Sequence, residues 1–176
     1  MATVRAQAFW KAVVEDRVDF LDRLIALFAD HGIRYCLVDG QAVNACAEPV
    51  VSLDLDVVIA SDQLPQVESL LRDLFVVERF PHSLNVSVPG SDLRVQVRTD
   101  PRYAAFVDRA EVRDVLGLRL PVAGLEDVLR GKVWAVTDET RRSSKRQKDL
   151  ADIARLIETH PPLRARIPAE VLSRLF

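Results

Sequence analysis

The sequence predicts an α+β fold, in which a mixed β-sheet is flanked by helices and followed by a helical C-terminal part. Two observations lead to this prediction. Short apolar runs that alternate with polar residues lie between residues 33 and 121, and apolar residues at helical spacing lie before and after them. The elements also follow in the order helix, strand, helix, strand, helix, several strands and then helices, which is typical of a mixed sheet with packed helices.

The length and the hydrophobic content fit a single domain. A chain of 176 residues, of which 49% are hydrophobic, can bury an ordinary core. We expect one domain made of N-terminal helices at 1–32, a sheet core at 33–121 and a helical part at 122–176.

Charge and cysteine content restrict the partners and the compartment. The formal net charge of -2 gives no global attraction to nucleic acid or to an anionic membrane, so a site for a polyanion has to be a local basic patch. No apolar run approaches the roughly 20 residues of a membrane span, and the N-terminus lacks the pattern of a signal peptide. We therefore expect a cytoplasmic protein. Cys36 and Cys46 match no metal-binding spacing and are expected to be buried thiols without a disulfide.

The first elements are predicted from helical spacing and a turn signal. Apolar residues from Phe9 to Phe28 predict one or two amphipathic helices that end near Gly32. The run "IRYCLVDG" predicts a strand that leads into a turn, and "QAVNACA" after Gly40 predicts the first turns of a helix.

The central strands follow. Residues 52–60 predict a strand, and Asp62 is the expected N-cap of a helix through Leu64 and Leu74. Three further strands are predicted at "FVVERF", "LNVSV" and "LRVQV", with turns at "PHS" and "PGSD".

The last third of the chain is mainly helical. A short helix is predicted after Pro101, and "LGLRLPVA" predicts a last strand or extended segment. "LEDVLRGKVWAVTD" has helical spacing that Gly131 weakens, and "KRQKDLADIARLIETH" predicts a clearer helix that Pro161 ends. A small helix is expected after Pro168.

Two carboxylates in the strand "VSLDLDVVIA" are the first indication of chemistry. Side chains alternate faces along a strand, so Asp54 and Asp56 project to the same side and Leu55 and Val57 to the other. Apolar residues on both sides of the alternation favour a strand inside the sheet. Two ionised carboxylates side by side repel each other, and burial adds to the cost unless cations or hydrogen-bond donors compensate them. A divalent metal ion is the simplest compensation.

The segment "LVDGQAVNACAEPVVSLDLDVVIA" resembles the signature of nucleotidyltransferases of the DNA polymerase beta superfamily. That signature consists of an apolar strand, a glycine-containing turn that opens a helix, and an Asp-x-Asp strand, and the spacing from Gly40 to Asp54 fits it. The run "LEDVLRGKVWAVTDETRRSSKRQKDLADIARLIE" is similar to the second half of one bacterial branch, the AbiEii/AbiGii toxin-type nucleotidyltransferases. There, a helix bearing a Lys precedes a basic loop and a Lys-Asp-x-x-Asp helix.

The resemblance implies an activity and a set of partners. It implies a Mg²⁺-dependent enzyme that moves an NMP from an NTP to an RNA acceptor, for which tRNA is a candidate, or to a protein hydroxyl. It also implies that the protein is the toxin component of a bacterial toxin–antitoxin system, with a cognate antitoxin as its partner.

Roles for individual residues follow from the same resemblance. Asp54 and Asp56 would hold Mg²⁺ ions about 3.5 to 4 Å apart and, with Lys132, form the catalytic set. The tight turn at Gly40 and the helix start at Gln41 would approach the phosphates. The remaining nucleotide-binding residues would be Lys145, Lys148 and Asp149.

The basic run "RRSSKRQKD" lies before a helix and in its first turn, where the helix dipole disfavours cations. Lys145 with Asp149, and Lys148 with Asp152, are i,i+4 pairs in the order that stabilises a helix less. Helix stability alone therefore explains the cluster poorly. Contact with phosphates is one interpretation, and a solvated charged face is the other.

Three positions depart from the family pattern. Asp39 replaces a Gly beside Gly40 and adds negative charge near the expected triphosphate, and Val50 replaces an Arg. Gln96 lies where many relatives carry a third carboxylate, and a neutral amide binds Mg²⁺ poorly and cannot act as a base. These departures favour an alternative, a catalytically impaired protein of this fold that binds a nucleotide or a protein partner. A purely structural domain, in which hydrogen bonds satisfy the Asp pair, is the third interpretation.

Overall fold

The computed structural model describes residues 20–175 and contains a seven-stranded mixed β-sheet flanked by helices. The strands are β1 (Tyr35–Val38), β2 (Asp54–Ile59), β3 (Val76–Phe80), β4 (Ser83–Ser87), β5 (Arg94–Arg98), β6 (Glu111–Val115) and β7 (Leu118–Val122). The α-helices are α1 (Asp22–Asp30), α2 (Asp39–Cys46), α3 (Leu64–Leu74), α4 (Leu125–Thr137), α5 (Ser143–Thr159) and α6 (Ala169–Leu172). Segments of 3₁₀-helix cover Ser61–Gln63, Pro101–Arg109 and Pro161–Arg166. The α+β prediction is confirmed, and the helical pattern predicted around Phe9 lies outside the described residues.

The order of the strands across the sheet is β3-β4-β5-β2-β1-β7-β6. β2 lies inside the sheet, as predicted, antiparallel to β1 and parallel to β5. The register with β5 places Asp54 opposite Arg94 and Asp56 opposite Gln96. Two neighbouring strands therefore bring acidic, basic and amide side chains to adjacent positions on one face.

The two faces of the central strands differ in polarity. Leu55, Val57, Val95 and Val97 alternate with the polar residues of β2 and β5 and are buried in the core. The same core contains buried residues of the helices α1 and α3. One face is thus covered by helices, which leaves the polar residues of the other face for a site.

One strand was not predicted. β6 pairs with β7 in a hairpin whose turn consists of Leu116 and Gly117, both with positive φ (51° and 79°). The strand is a polar and largely exposed edge, with the sequence "EVRDV", so it lacks the apolar alternation that predicts a half-buried strand. Pairing with β7 therefore determines its conformation.

Local predictions at three helix positions had different outcomes. α1 ends at Asp30 and Gly32 adopts a left-handed conformation (φ 59°), which confirms the predicted stop. The prediction of Asp62 as an N-cap is wrong: a 3₁₀ turn precedes α3, and the Asp62 carboxylate accepts a hydrogen bond from Arg34 at 2.9 Å. α4 continues through Gly131, where the ring of Tyr103 leaves little room for a side chain because an added Cβ would lie 3.3 Å from it.

Cys36 and Cys46 are buried free thiols, as predicted. Within residues 20–175, no helix is long and apolar enough to cross a membrane.

Candidate active site

A cleft of about 750 Å³ opens along the polar face of β2, β5 and β4. Residues from the start of α2, from α4 and from the start of α5 complete its lining. The predicted site residues that line it are Gly40, Asp54, Asp56, Lys132, Lys145, Lys148 and Asp149. Gln41 is not one of the lining residues. Tertiary structure thus gathers into one cleft nearly all of the residues that the sequence singled out.

Asp54 and Asp56 face the cleft at different depths. The side chain of Asp54 is 47% exposed, and its Oδ1 lies 2.8 Å from Nε of Arg94. The side chain of Asp56 is 10% exposed, and its Oδ1 lies 3.0 Å from Nε and 2.9 Å from Nη2 of Arg98. Each carboxylate is therefore paired with an arginine of β5 through Oδ1.

The remaining oxygens fit a divalent cation. In both carboxylates, the arginine contact uses Oδ1, and hard carboxylate oxygens such as Oδ2 are the ligands that Mg²⁺ prefers. Burial, and then the negative charge of Asp39, raise the pKa of Asp56 to about 6 although Arg98 opposes the shift. The raised pKa means that burial disfavours the ionised form of Asp56, which a bound cation would stabilise.

The turn before α2 has an unusual residue in its left-handed position. Asp39 is the first residue of α2 and has φ 59°, a conformation that favours glycine. Its Oδ2 accepts a hydrogen bond from Arg98 at 2.8 Å, and its Oδ1 accepts one from Lys132. Burial would raise the pKa of Asp39, but Lys132 and Arg98 outweigh it and lower that pKa to about 2. Asp39 is therefore ionised and paired at neutral pH.

Lys132 is buried beneath the cleft and is surrounded by carboxylates. Its ammonium lies 3.0 Å from Asp149 Oδ1 and 2.7 Å from Asp152 Oδ2, and it also contacts Asp39. Burial would lower the pKa of Lys132, but the three carboxylates raise it. The oxygens of Asp39, Asp149 and Asp152 lie close enough to hold a metal ion. The Lys132 ammonium already supplies the positive charge among them, so this trio binds a lysine.

Gln41 fixes the segment that leads into β2. It is buried, and its Nε2 donates to the carbonyl oxygen of Ser52 at 2.9 Å. Asn44 lies about one helical turn further along. Its Nδ2 donates to the carbonyl oxygen of Val50 at 2.8 Å, and its Oδ1 accepts from the backbone N–H of Val50 at 3.0 Å. The side chain predicted to meet phosphate is thus engaged in holding the loop, whereas Gly40 borders the cleft.

The basic start of α5 presents three exposed cations to the cleft, Arg142, Lys145 and Lys148. Asp149 and Asp152, which the sequence pairs with Lys145 and Lys148, instead contact the buried Lys132. Asp149 contacts Lys132 and Arg141, the latter at 2.5 Å between Oδ2 and Nε. Because the buried lysine needs compensation, the acids of α5 point inward and leave the cations of its first turns in the cleft.

Sequence reasoning missed the importance of Arg98 and Asp152. Alternation along "LRVQVR" places Arg98 on the face of Gln96, which is a signal that it belongs to the site. The contact of Asp152 with Lys132 has no such local signal, because the two residues lie on different helices.

The comparisons with known proteins identify the fold. No protein-family model and no curated protein matches the sequence. Among solved structures, the antibiotic-resistance factor ANT(2'')-Ia is similar, with 11% identity, coverage of 86% of this chain and 93% of that chain, and a TM-score of 0.56. The lincosamide antibiotic adenylyltransferase LnuA is also similar, with 13% identity, coverage of 77% and 95%, and a TM-score of 0.50. An antigenic nucleotidyltransferase-like protein from Paracoccidioides brasiliensis shares 17% identity, with coverage of 77% and 73% and a TM-score of 0.50. The chain therefore has a nucleotidyltransferase-like fold.

Proposed function

We propose that this protein is a Mg²⁺-dependent nucleotidyltransferase that moves an NMP from an NTP to an acceptor hydroxyl. The observation that carries the proposal is one cleft that contains Asp54 and Asp56 on β2 and the exposed cations at the start of α5. A metal-binding acid pair and a cluster of phosphate-binding cations are the two requirements of phosphoryl transfer. The nucleotidyltransferase-like fold supports the same conclusion.

The residues of the cleft have distinct roles in this proposal. Asp54 and Asp56 would hold Mg²⁺, which would neutralise part of the charge of the triphosphate. Lys145 and Lys148 bind phosphate oxygens, and Gly40 leaves the start of α2 open to them. Buried Lys132 is a positioning residue, because its ammonium holds Asp39, Asp149 and Asp152.

The transfer exchanges one bond to phosphorus for another. The acceptor oxygen forms a bond to the α-phosphorus, and the bond from that phosphorus to the bridging oxygen breaks. Pyrophosphate leaves with the electron pair. The hydroxyl proton passes to water in the open cleft, because Gln96 occupies the position where relatives carry a third carboxylate.

We propose RNA as the acceptor, with tRNA as the first candidate, in a toxin whose activity a cognate antitoxin restrains. The resemblance to the AbiEii/AbiGii toxin-type branch supports this, as does the basic cluster, which could contact the backbone of an RNA end. Protein is the other acceptor class that this resemblance implies. ANT(2'')-Ia and LnuA are described with antibiotics, so small hydroxyl-bearing molecules belong in the same test.

The test is a transfer assay with the full chain, Mg²⁺, each of the four α-³²P-labelled NTPs and total bacterial tRNA. In parallel reactions the tRNA is omitted, or it is replaced by tobramycin or by lincomycin. We expect label on RNA, and loss of that label in an Asp54→Ala/Asp56→Ala double variant. Asp92→Ala is the matched control, because Asp92 is exposed just before β5 and does not line the cleft. Label on protein or on an antibiotic would reassign the acceptor.

A second candidate function is nucleotide binding without transfer. The observation that favours it is the pairing of Asp56 with Arg98 beside the neutral Gln96. Metal-dependent binding of an NTP by a folded protein, with no labelled product from any acceptor, would establish this candidate and contradict the transferase.

A further inference from the structure

The position beside Asp56 is occupied by a neutral side chain. Gln96 is the register partner of Asp56 on β5, and its amide nitrogen donates to Ser83 Oγ and Asn85 Oδ1, both at 3.2 Å. Two divalent ions about 3.5 to 4 Å apart repel each other strongly, so they require carboxylates between them that offset their charge. Because no residue of β5 is acidic, this strand adds no carboxylate to Asp54 and Asp56.

A fixed cation lies next to the acid pair instead. Arg98, on the same face of β5 as Gln96, contacts Oδ1 of Asp56 through both Nε and Nη2. Nη2 also donates to Asp39 at 2.8 Å, so one guanidinium bridges two carboxylates. A guanidinium carries its charge at every physiological pH and forks between oxygens much as a bound ion does.

Asp39 is the positioning residue for this guanidinium. It adopts a left-handed conformation that most side chains avoid, and in doing so it places its carboxylate between Arg98 and Lys132. The Arg98 side chain is only 22% exposed. Asp39 and Asp56 therefore clamp the guanidinium from two sides within the base of the cleft.

We infer, on the premise of the metal-dependent transfer proposed above, that Arg98 takes the place of one of two divalent ions. The cleft would then bind a single ion, held by Asp54 and Asp56. The guanidinium engages Oδ1 of Asp56 and repels a second cation from the same carboxylates. The two departures from the family pattern are then connected. Asp39 positions the guanidinium that replaces the second ion, and without that ion a third carboxylate at Gln96 is not needed.

The test counts metal ions directly and does not depend on turnover. Crystals of the full chain are grown with Mn²⁺ alone, and further crystals are grown with Mn²⁺ and the α,β-methylene analogue of each NTP. Manganese sites are counted from their anomalous signal. We expect one manganese ion at Asp54 and Asp56 in the wild type, and a second ion near Asp39 and Asp56 in Arg98→Ala.

Two further variants make the count interpretable. Arg94→Ala removes an exposed arginine from the same face of β5 and should leave the count at one. Arg98→Gln keeps hydrogen-bond donors but removes the charge, so it should gain the second ion even if Arg98→Ala does not fold.

The outcomes separate the inference from the proposed function. Two manganese ions in the wild type would overturn the inference and leave the transferase standing. A single ion in both folded Arg98 variants would also overturn it. No ion with any of the four analogues would overturn the metal-dependent function and the inference together.

Discussion

The ammonium of Lys132 on α4 lies 2.7 Å from Oδ2 of Asp152 on α5, and both side chains are buried. The same ammonium contacts Asp149 one helical turn earlier and Asp39 at the start of α2. A single buried cation thus connects three helices at the base of the cleft. It also fixes the direction in which the start of α5 presents its exposed cations.

Replacing Lys132 with Met should strongly destabilise the protein. The substitution leaves the carboxylates of Asp149 and Asp152 buried without their shared cation, and breaking a buried ion pair in this way costs about 3 to 5 kcal/mol. Urea unfolding would measure the change. Lys148→Met, at an exposed position of the same site, should alter the free energy of unfolding by less than about 0.5 kcal/mol. Equal stability of the two variants would contradict the role given to Lys132.

The stability difference between Asp56→Asn and the wild type should depend on pH. The pKa of Asp56 is raised from 3.8 to about 6 in the folded state, so the folded protein holds more protons than the unfolded chain between about pH 4 and 6. Wild-type stability therefore falls as the pH rises through this window, by about 2 to 3 kcal/mol from this one group. Asparagine cannot titrate, so the free energy of unfolding of the variant, relative to that of the wild type, should rise by that amount as the pH rises through the window.

This comparison requires metal-free conditions, because a bound ion would stabilise the ionised carboxylate. Urea unfolding in EDTA at several pH values between 4 and 7 would measure it. Ser87→Ala, on the same face of the sheet, removes no titratable group and should differ from the wild type by a constant amount. A constant difference for Asp56→Asn as well would contradict the raised pKa.

Glycine should be tolerated better than alanine at position 39. Both substitutions remove the contacts with Arg98 and Lys132, so both should destabilise. They differ in backbone strain, because φ is 59° and an alanine Cβ is disfavoured there by about 1 kcal/mol or more. Chemical denaturation should therefore give a higher free energy of unfolding for Asp39→Gly than for Asp39→Ala. At Lys148, inside α5, the order of Gly and Ala should be reversed. The same order at both positions would contradict the backbone argument.

Removing two cations from the start of α5 should weaken nucleotide binding without affecting folding. Lys145 and Lys148 are exposed in the cleft, and each charge-assisted contact with phosphate contributes about 1.5 to 3 kcal/mol. We expect the double alanine variant to bind NTP and Mg²⁺ at least about tenfold more weakly by calorimetry, with a smaller dependence on salt. Arg119→Ala, on the distant β6–β7 hairpin, should bind as the wild type does. Unchanged affinity of the double variant would place the triphosphate elsewhere.

Much of the site could be predicted from residue spacing because its parts are local. Alternation along β2 places Asp54 and Asp56 on one face, and this holds in any sheet that contains the strand. The apolar stripe of α5 and its basic first turns likewise require no knowledge of neighbours. The polar edge strand β6 could not be predicted this way, since only its pairing with β7 makes it a strand.

The sequence by itself determined the elements other than β6, the face on which the acid pair lies and the basic start of α5, because these depend on periodicities of two and 3.6 residues. Tertiary structure alone decided which charges meet. The resemblance placed Lys132 in the catalytic set, and only the packing of the helices shows that its ammonium is buried among three carboxylates from α2 and α5. Arg98 reaches Asp56 and Asp39 because β5 pairs with β2 in one register. Ion pairs between residues far apart in the chain follow from packing, and burial makes each of these charges require a partner.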